Sequence, residues 1–159
     1  MRRFVLAIVL TLMTASYAAA QPASALVREF AEYEKADFLT MDTKLFNLAR
    51  PFMRLDKKTK KMFNALHIRN VDVLNMSGCD DADKTTAFRQ LSALSDSTYL
   101  RGSVLHPEQA VDGSDFLMRS SDGKVSEFLI YSTTKEGEFV IMRIDCEAEL
   151  KELQEALSL

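Results

Sequence analysis

The chain has no tryptophan and only two cysteines, two histidines, three prolines and five glycines in 159 residues, and each scarcity closes off a class of chemistry. Dithiol redox enzymes usually keep paired cysteines close in sequence, whereas Cys79 and Cys146 stand far apart with no Cys-x-x-Cys. Metal sites and neutral-pH bases draw on histidine at ligand spacing. His67 and His106 belong to no His-x-x-x-His or His-Glu motif and read as loop residues. A serine nucleophile turn needs Gly-x-Ser-x-Gly, and a phosphate-cradling loop needs clustered glycines; the sequence contains neither. No cofactor is expected.

What is present begins with Met1-Arg2-Arg3, an uncharged apolar run over residues 4–13, and small residues Ala18-Ala19-Ala20 ahead of Gln21-Pro22. That is the layout of a secretory signal, and it predicts cleavage after Ala20. The apolar core is about half the roughly 20 residues needed to cross a bilayer, so no transmembrane segment is expected in the mature chain. No cysteine stands at the cleavage point, which argues against a lipid anchor.

Residues 21–159 are expected to form a single globular domain, long enough to bury most of the surface an unfolded chain exposes. They hold 18 basic against 23 acidic residues, a formal charge of −5. That sign excludes general binding to nucleic acid. Against it, Arg50, Arg54, Lys57, Lys58, Lys60 and Lys61 fall within twelve residues with Asp56 the only acid among them. Such a run can dock an anionic membrane surface or an acidic face of an envelope protein; a solvated helix face accounts for the same pattern.

Periodicity supplies the elements. Leu26, Phe30 and Tyr33 are at helical spacing over about residues 25–35, and residues 37–41 suggest a short strand. Leu45, Leu48, Ala49 and Phe52 form a second helical stripe that Pro51 interrupts, and residues 57–66 can continue as a helix. Val71 and Val73 alternate with Asp72 in a strand. Asp80, Asp81 and Asp83 precede Phe88, Leu91 and Leu94, where acids complement a helix start. They lack the glycine and closing glutamate of a calcium loop.

A further strand is expected around Tyr99-Leu100-Arg101. Residues 115–119, 125–131 and 138–144 then read as a three-strand meander joined at Ser121-Asp122-Gly123 and Lys135-Glu136-Gly137. Asp145 is expected to cap a last helix carrying Leu150, Leu153 and Leu157. The order predicts an α+β fold, an antiparallel sheet with helices packed mainly on one face.

The strand Val71-Asp72-Val73-Leu74, Tyr99-Leu100-Arg101, the strand Phe128-Leu129-Ile130 and the run from Glu138 to Asp145 into the final helix resemble a family of small exported domains of unknown function from Bacteroidetes. Many of its members look like lipoproteins, and many carry a glycine near the final strand where this chain has Arg143. The resemblance implies fold class and location, and no catalytic residue.

Two cysteines in an oxidising compartment invite a disulfide. If the strands ending near Met76 and Ile144 ran side by side in parallel, Cys79 and Cys146 would lie at the same end; two separate buried thiols are the alternative. The leading functional expectation is a non-catalytic domain binding a partner in the cell envelope. The alternatives are a small-ligand protein with a Met- and Phe-lined pocket between sheet and helices, and a hydrolase assembled from scattered residues, with His67 or His106 beside a carboxylate.

Overall fold

The computed structural model describes residues 23–55, 57–94, 99–101, 114–133 and 136–157. The signal peptide expected over residues 1–20, with its cleavage point, and His106 lie outside them. Local chemistry starts and stops most elements. Helix α1 (Ala23–Ala31) buries Leu26, Val27 and Phe30 and gives way to turns that end at Lys35, which takes a positive φ of 66°. Strand β1 (Asp37–Asp42) closes on Asp42, whose carboxylate accepts the Leu45 N–H at 2.8 Å and caps helix α2 (Thr43–Ala49). Pro51 can donate no N–H to an α-helix, and the chain tightens there into a 3₁₀ turn (Arg50–Phe52).

Helix α3 (Lys57–Ala65) leads into β2 (His67–Asn75). Asp80 accepts the Asp83 N–H at 2.8 Å and caps α4 (Asp81–Ala93), so the acidic cluster serves the helix start as expected. Strands β3 (Tyr99–Arg101), β4 (Ser114–Ser121), β5 (Lys124–Thr133) and β6 (Phe139–Glu149) follow, then helix α5 (Leu150–Leu157).

The six strands form one antiparallel sheet in the order β1-β2-β6-β5-β4-β3. The expected meander is β4-β5-β6. Its first turn has positive φ at both Asp122 (52°) and Gly123 (75°), the conformation that follows the twist of a two-residue hairpin. β6 is longer than the sequence suggested. Asp145 lies within the strand, paired across the sheet with Glu127 and Asn70, rather than capping the last helix. Helix α5 starts at Leu150, whose N–H reaches the Gly123 carbonyl at 2.8 Å.

Apolar side chains occupy both faces of the sheet. On one, Leu74, Met76, Leu117, Leu129, Tyr131, Phe139 and Ile141 pack against α1 and α4. On the other, Ile68, Val71, Met118, Val125, Phe128, Ile144 and Cys146 pack against Phe46, Leu66 and Leu153. The α+β class holds, but the helices, expected mainly on one face, cover both: a sheet apolar on two sides needs two covering layers. Bulges between Ile68 and Asn70 and between Val125 and Glu127 reset the alternation, so Ile68 and Val125 join the second core.

Candidate functional site

A line of polar side chains crosses the first face of the sheet, where alternation would place apolar ones. In β6 the inward series runs Phe139, Ile141, Arg143. The Arg143 guanidinium donates from Nη1 to Asp72 at 2.9 Å and from Nε to Glu127 at 2.6 Å. Asp72 also accepts from the Thr40 hydroxyl and the Asn70 amide, both at 2.7 Å. Tyr99 donates to the other oxygen of Glu127, and its hydroxyl accepts the Ala23 N–H at 3.2 Å. Six elements, α1, β1, β2, β3, β5 and β6, are tied together by this line.

Its charges lie inside the protein: the side chains of Arg143, Asp72 and Glu127 are 12%, 12% and 5% exposed. Burial works against the Arg143 cation, but the Glu127 charge and the hydrogen bonds with Asp72 and Glu127 outweigh it and raise its pKa. Burial, then the hydrogen bond to Glu127, pushes the Tyr99 phenol up to about 12. Thr40, Asn70, Asp72 and Arg143 of this line floor an open groove of about 570 Å³ walled by Ser24, Arg28 and Ala31 of α1 and by Glu32 just after it. The groove therefore has charged and polar groups where a Met- and Phe-lined pocket was expected. Because those floor groups hydrogen-bond one another, the line is chiefly a brace.

The second face presents a different surface. Of the helical stripe Leu45, Leu48, Ala49 and Phe52, the three large side chains point to solvent; Leu48 is 70% and Phe52 87% exposed. Phe46 is the residue of α2 that enters the core. The reason is position: α2 lies over the β1 edge of the sheet, so only one side of it has anything to cover. Directly after this stripe, Arg54, Lys57, Lys60 and Lys61 are exposed and form no ion pair among the described residues. Lys58 belongs to the same helix. Arg50 is half-buried and turns back to bond the Asn64 side chain and, at 3.5 Å, the Lys60 carbonyl, joining the 3₁₀ turn to α3.

Behind Arg50 lies a cavity of about 330 Å³ between α2, α3 and the start of β2. Its polar lining is Thr43, Asn47, Arg50, Asn64, His67 and Arg69, over Phe46, Phe63, Leu66 and Ile68; no carboxylate lines it. Thr43 donates to the carbonyls of Ile68 and Arg69 at 2.9 and 3.0 Å. Arg69 is held by Asp145 at 2.8 Å. His67 thus stands in a cavity without the neighbouring carboxylate that an assembled hydrolase site would require.

The expected disulfide is absent: both cysteines are free, buried thiols. β2 and β6 are antiparallel, with Ile68 opposite Cys146, so Cys146 sits at the start of β2 while Cys79 lies beyond its other end. They also belong to cores on opposite faces of the sheet. Burial raises both thiols, Cys146 to about 12. Among the described residues no group of three or more His, Cys, Asp or Glu is placed to hold a metal ion, and no helix is long and apolar enough to cross a membrane.

The polar line was not singled out from the sequence, although Glu127 and Arg143 at inward strand positions are a legible signal once register is known. Residues 30–156 match the model of a family described as a domain of unknown function, DUF4252, and the chain belongs to that family. No curated protein and no solved structure shows significant similarity to it.

Proposed function

We propose that this DUF4252 domain is exported by its first twenty residues and acts, without chemistry of its own, as a module that docks on an anionic membrane surface of the cell envelope. The observation that carries the reading is the adjacency of solvent-facing Leu45, Leu48 and Phe52 to exposed Arg54, Lys57, Lys60 and Lys61. Large exposed apolar side chains are an interaction signal when grouped, and three of the six among the described residues, Leu45, Leu48 and Phe52, fall within eight residues of α2 and the 3₁₀ turn. A basic rim selects a negative partner. Apolar insertion beside basic residues is how peripheral helices hold a lipid interface.

The magnitudes suit reversible attachment. Each cation near an anionic surface contributes about 1 kcal/mol before screening, and burying Leu48 and Phe52 adds roughly 2 kcal/mol apiece. Part of that total is offset by lost freedom of the bound protein.

The test is flotation of the protein lacking residues 1–20 with vesicles of phosphatidylcholine alone and with phosphatidylglycerol added. Binding should appear only with phosphatidylglycerol, weaken with salt, and fall on Phe52→Ser or on Lys57→Glu with Lys61→Glu. Equal absence of binding to both vesicles overturns the reading.

A further inference from the structure

We infer that the cavity between α2, α3 and the start of β2 is a receptor for the phosphate of an anionic lipid headgroup, an inference that rests on the membrane-docking reading above. The cavity and the docking surface are built on the same two helices, α2 and α3. Leu45, Leu48 and Phe52 lie on the solvent side of the α2 segment, while Thr43, Phe46, Asn47 and Arg50 line the cavity. A bilayer against the apolar stripe would lie one helix diameter, roughly 10 Å, from the cavity.

The lining is rich in donors and holds no carboxylate. The Arg50 guanidinium uses Nη2 for Asn64 Oδ1 and the Lys60 carbonyl, and its Nε and Nη1 remain to donate. The first of these bonds fixes the Asn64 amide with its oxygen toward Arg50, so its NH₂ is a free donor. Asn47 adds a second amide and His67 a ring N–H. Arg69 adds field, tempered by its bonds to Asp145. An anion offering several oxygens to convergent N–H donors is what such a set binds best, and a guanidinium matches phosphate oxygens in shape as well as charge. A carboxylate-lined cavity of the same volume would repel it, and none lines this one. The floor of Phe46, Phe63, Leu66 and Ile68 lowers the local dielectric and strengthens each contact.

Two neutral substitutions, Asn47→Leu and Asn64→Leu, separate the cavity from the surface, because they remove donors, change no charge and leave the apolar stripe in place; Asn64→Leu also removes the acceptor that orients Arg50. Both residues are exposed, so thermal unfolding should stay close to that of the parent. Glycerol 3-phosphate titrated into the isotope-labelled protein should shift the backbone amides of residues 43–50 and 64–69 saturably. Each substitution should weaken that response and the binding to phosphatidylglycerol vesicles by about tenfold, the loss of one charge-assisted contact.

Unaltered vesicle binding by both variants, with no amide response to glycerol 3-phosphate, would overturn the headgroup site and leave the docking surface standing. Absence of vesicle binding by the parent protein would remove the docking surface and the lipid source with it; saturable glycerol 3-phosphate binding in that case would assign the cavity to a soluble phosphate and equally overturn the inference.

Discussion

Replacing Arg143 by Met should be the most damaging single change in this domain. The guanidinium is bonded to Asp72 at 2.9 Å and to Glu127 at 2.6 Å, and both carboxylates are nearly closed to water. Methionine fills much of the volume but leaves two negative charges facing each other in the interior. Breaking a buried pair by removing one partner costs about 3–5 kcal/mol, a large share of the roughly 5–15 kcal/mol that a domain of ordinary stability possesses. At roughly 3 °C per kcal/mol for a chain of this length, the melting temperature should fall by about 10–15 °C. Urea unfolding followed by circular dichroism would show a lower midpoint with unchanged slope.

The accompanying triple variant Asp72→Asn, Glu127→Gln, Arg143→Met removes all three charges and should recover most of the loss, since buried ion clusters are often no better than neutral replacements. Arg143→Lys should fall between, because a single ammonium cannot reach both carboxylates through a planar fork. A loss under about 1 kcal/mol for Arg143→Met would refute the reasoning. A triple variant as unstable as the single would show that shape, and not charge, holds the line together.

Tyr99→Phe should cost about 1–2 kcal/mol, since it strips a hydrogen bond from Glu127 and another from the Ala23 N–H. The phenol is raised from 10.0 to about 12, so its contribution to stability is complete below pH 10 and is lost as pH climbs toward 12; the variant should lack that alkaline decline, and a parallel decline in both proteins would contradict it. Ellman's reagent at neutral pH should find neither thiol in the native protein, because burial keeps both protonated and shielded, and two after unfolding without reductant; fewer than two would contradict the free-thiol state. Intact-mass measurement of the exported protein should place its first residue at Gln21, and a retained amino-terminal segment would contradict export by a cleaved signal.

The parts of the fold visible in the sequence were those set by short-range rules. The turn at Asp122-Gly123, the cap at Asp80, the stop at Pro51 and the alternation of Val71, Asp72 and Val73 each follow from one or two residues, and each has its expected place. The errors share a cause. Leu45, Leu48 and Phe52 have the spacing of a packing face, but spacing cannot say whether another layer covers it, and α2 lies at the sheet edge with that side open. Asp145 has the chemistry of a helix cap, and only its pairing with Asn70 and Glu127 reveals that β6 continues past it. The basic run was read correctly as exposed at Arg54, Lys57, Lys60 and Lys61, yet nothing in its spacing told of the cavity behind Arg50, whose walls come from three elements.

The sequence by itself determined the α+β class, the antiparallel meander and the helix start at Asp80, because these depend on contacts between near neighbours. It also determined the contrast between an acidic chain and one basic stretch, because charge is composition. Tertiary structure decided the rest through strand order. Placing β6 between β2 and β5 brings Arg143 between Asp72 and Glu127, residues far apart in the chain, and sends Cys79 and Cys146 to opposite ends and faces of the sheet. Leaving β1 at the edge leaves the apolar side of α2 uncovered, and the proposed docking surface rests on that exposure.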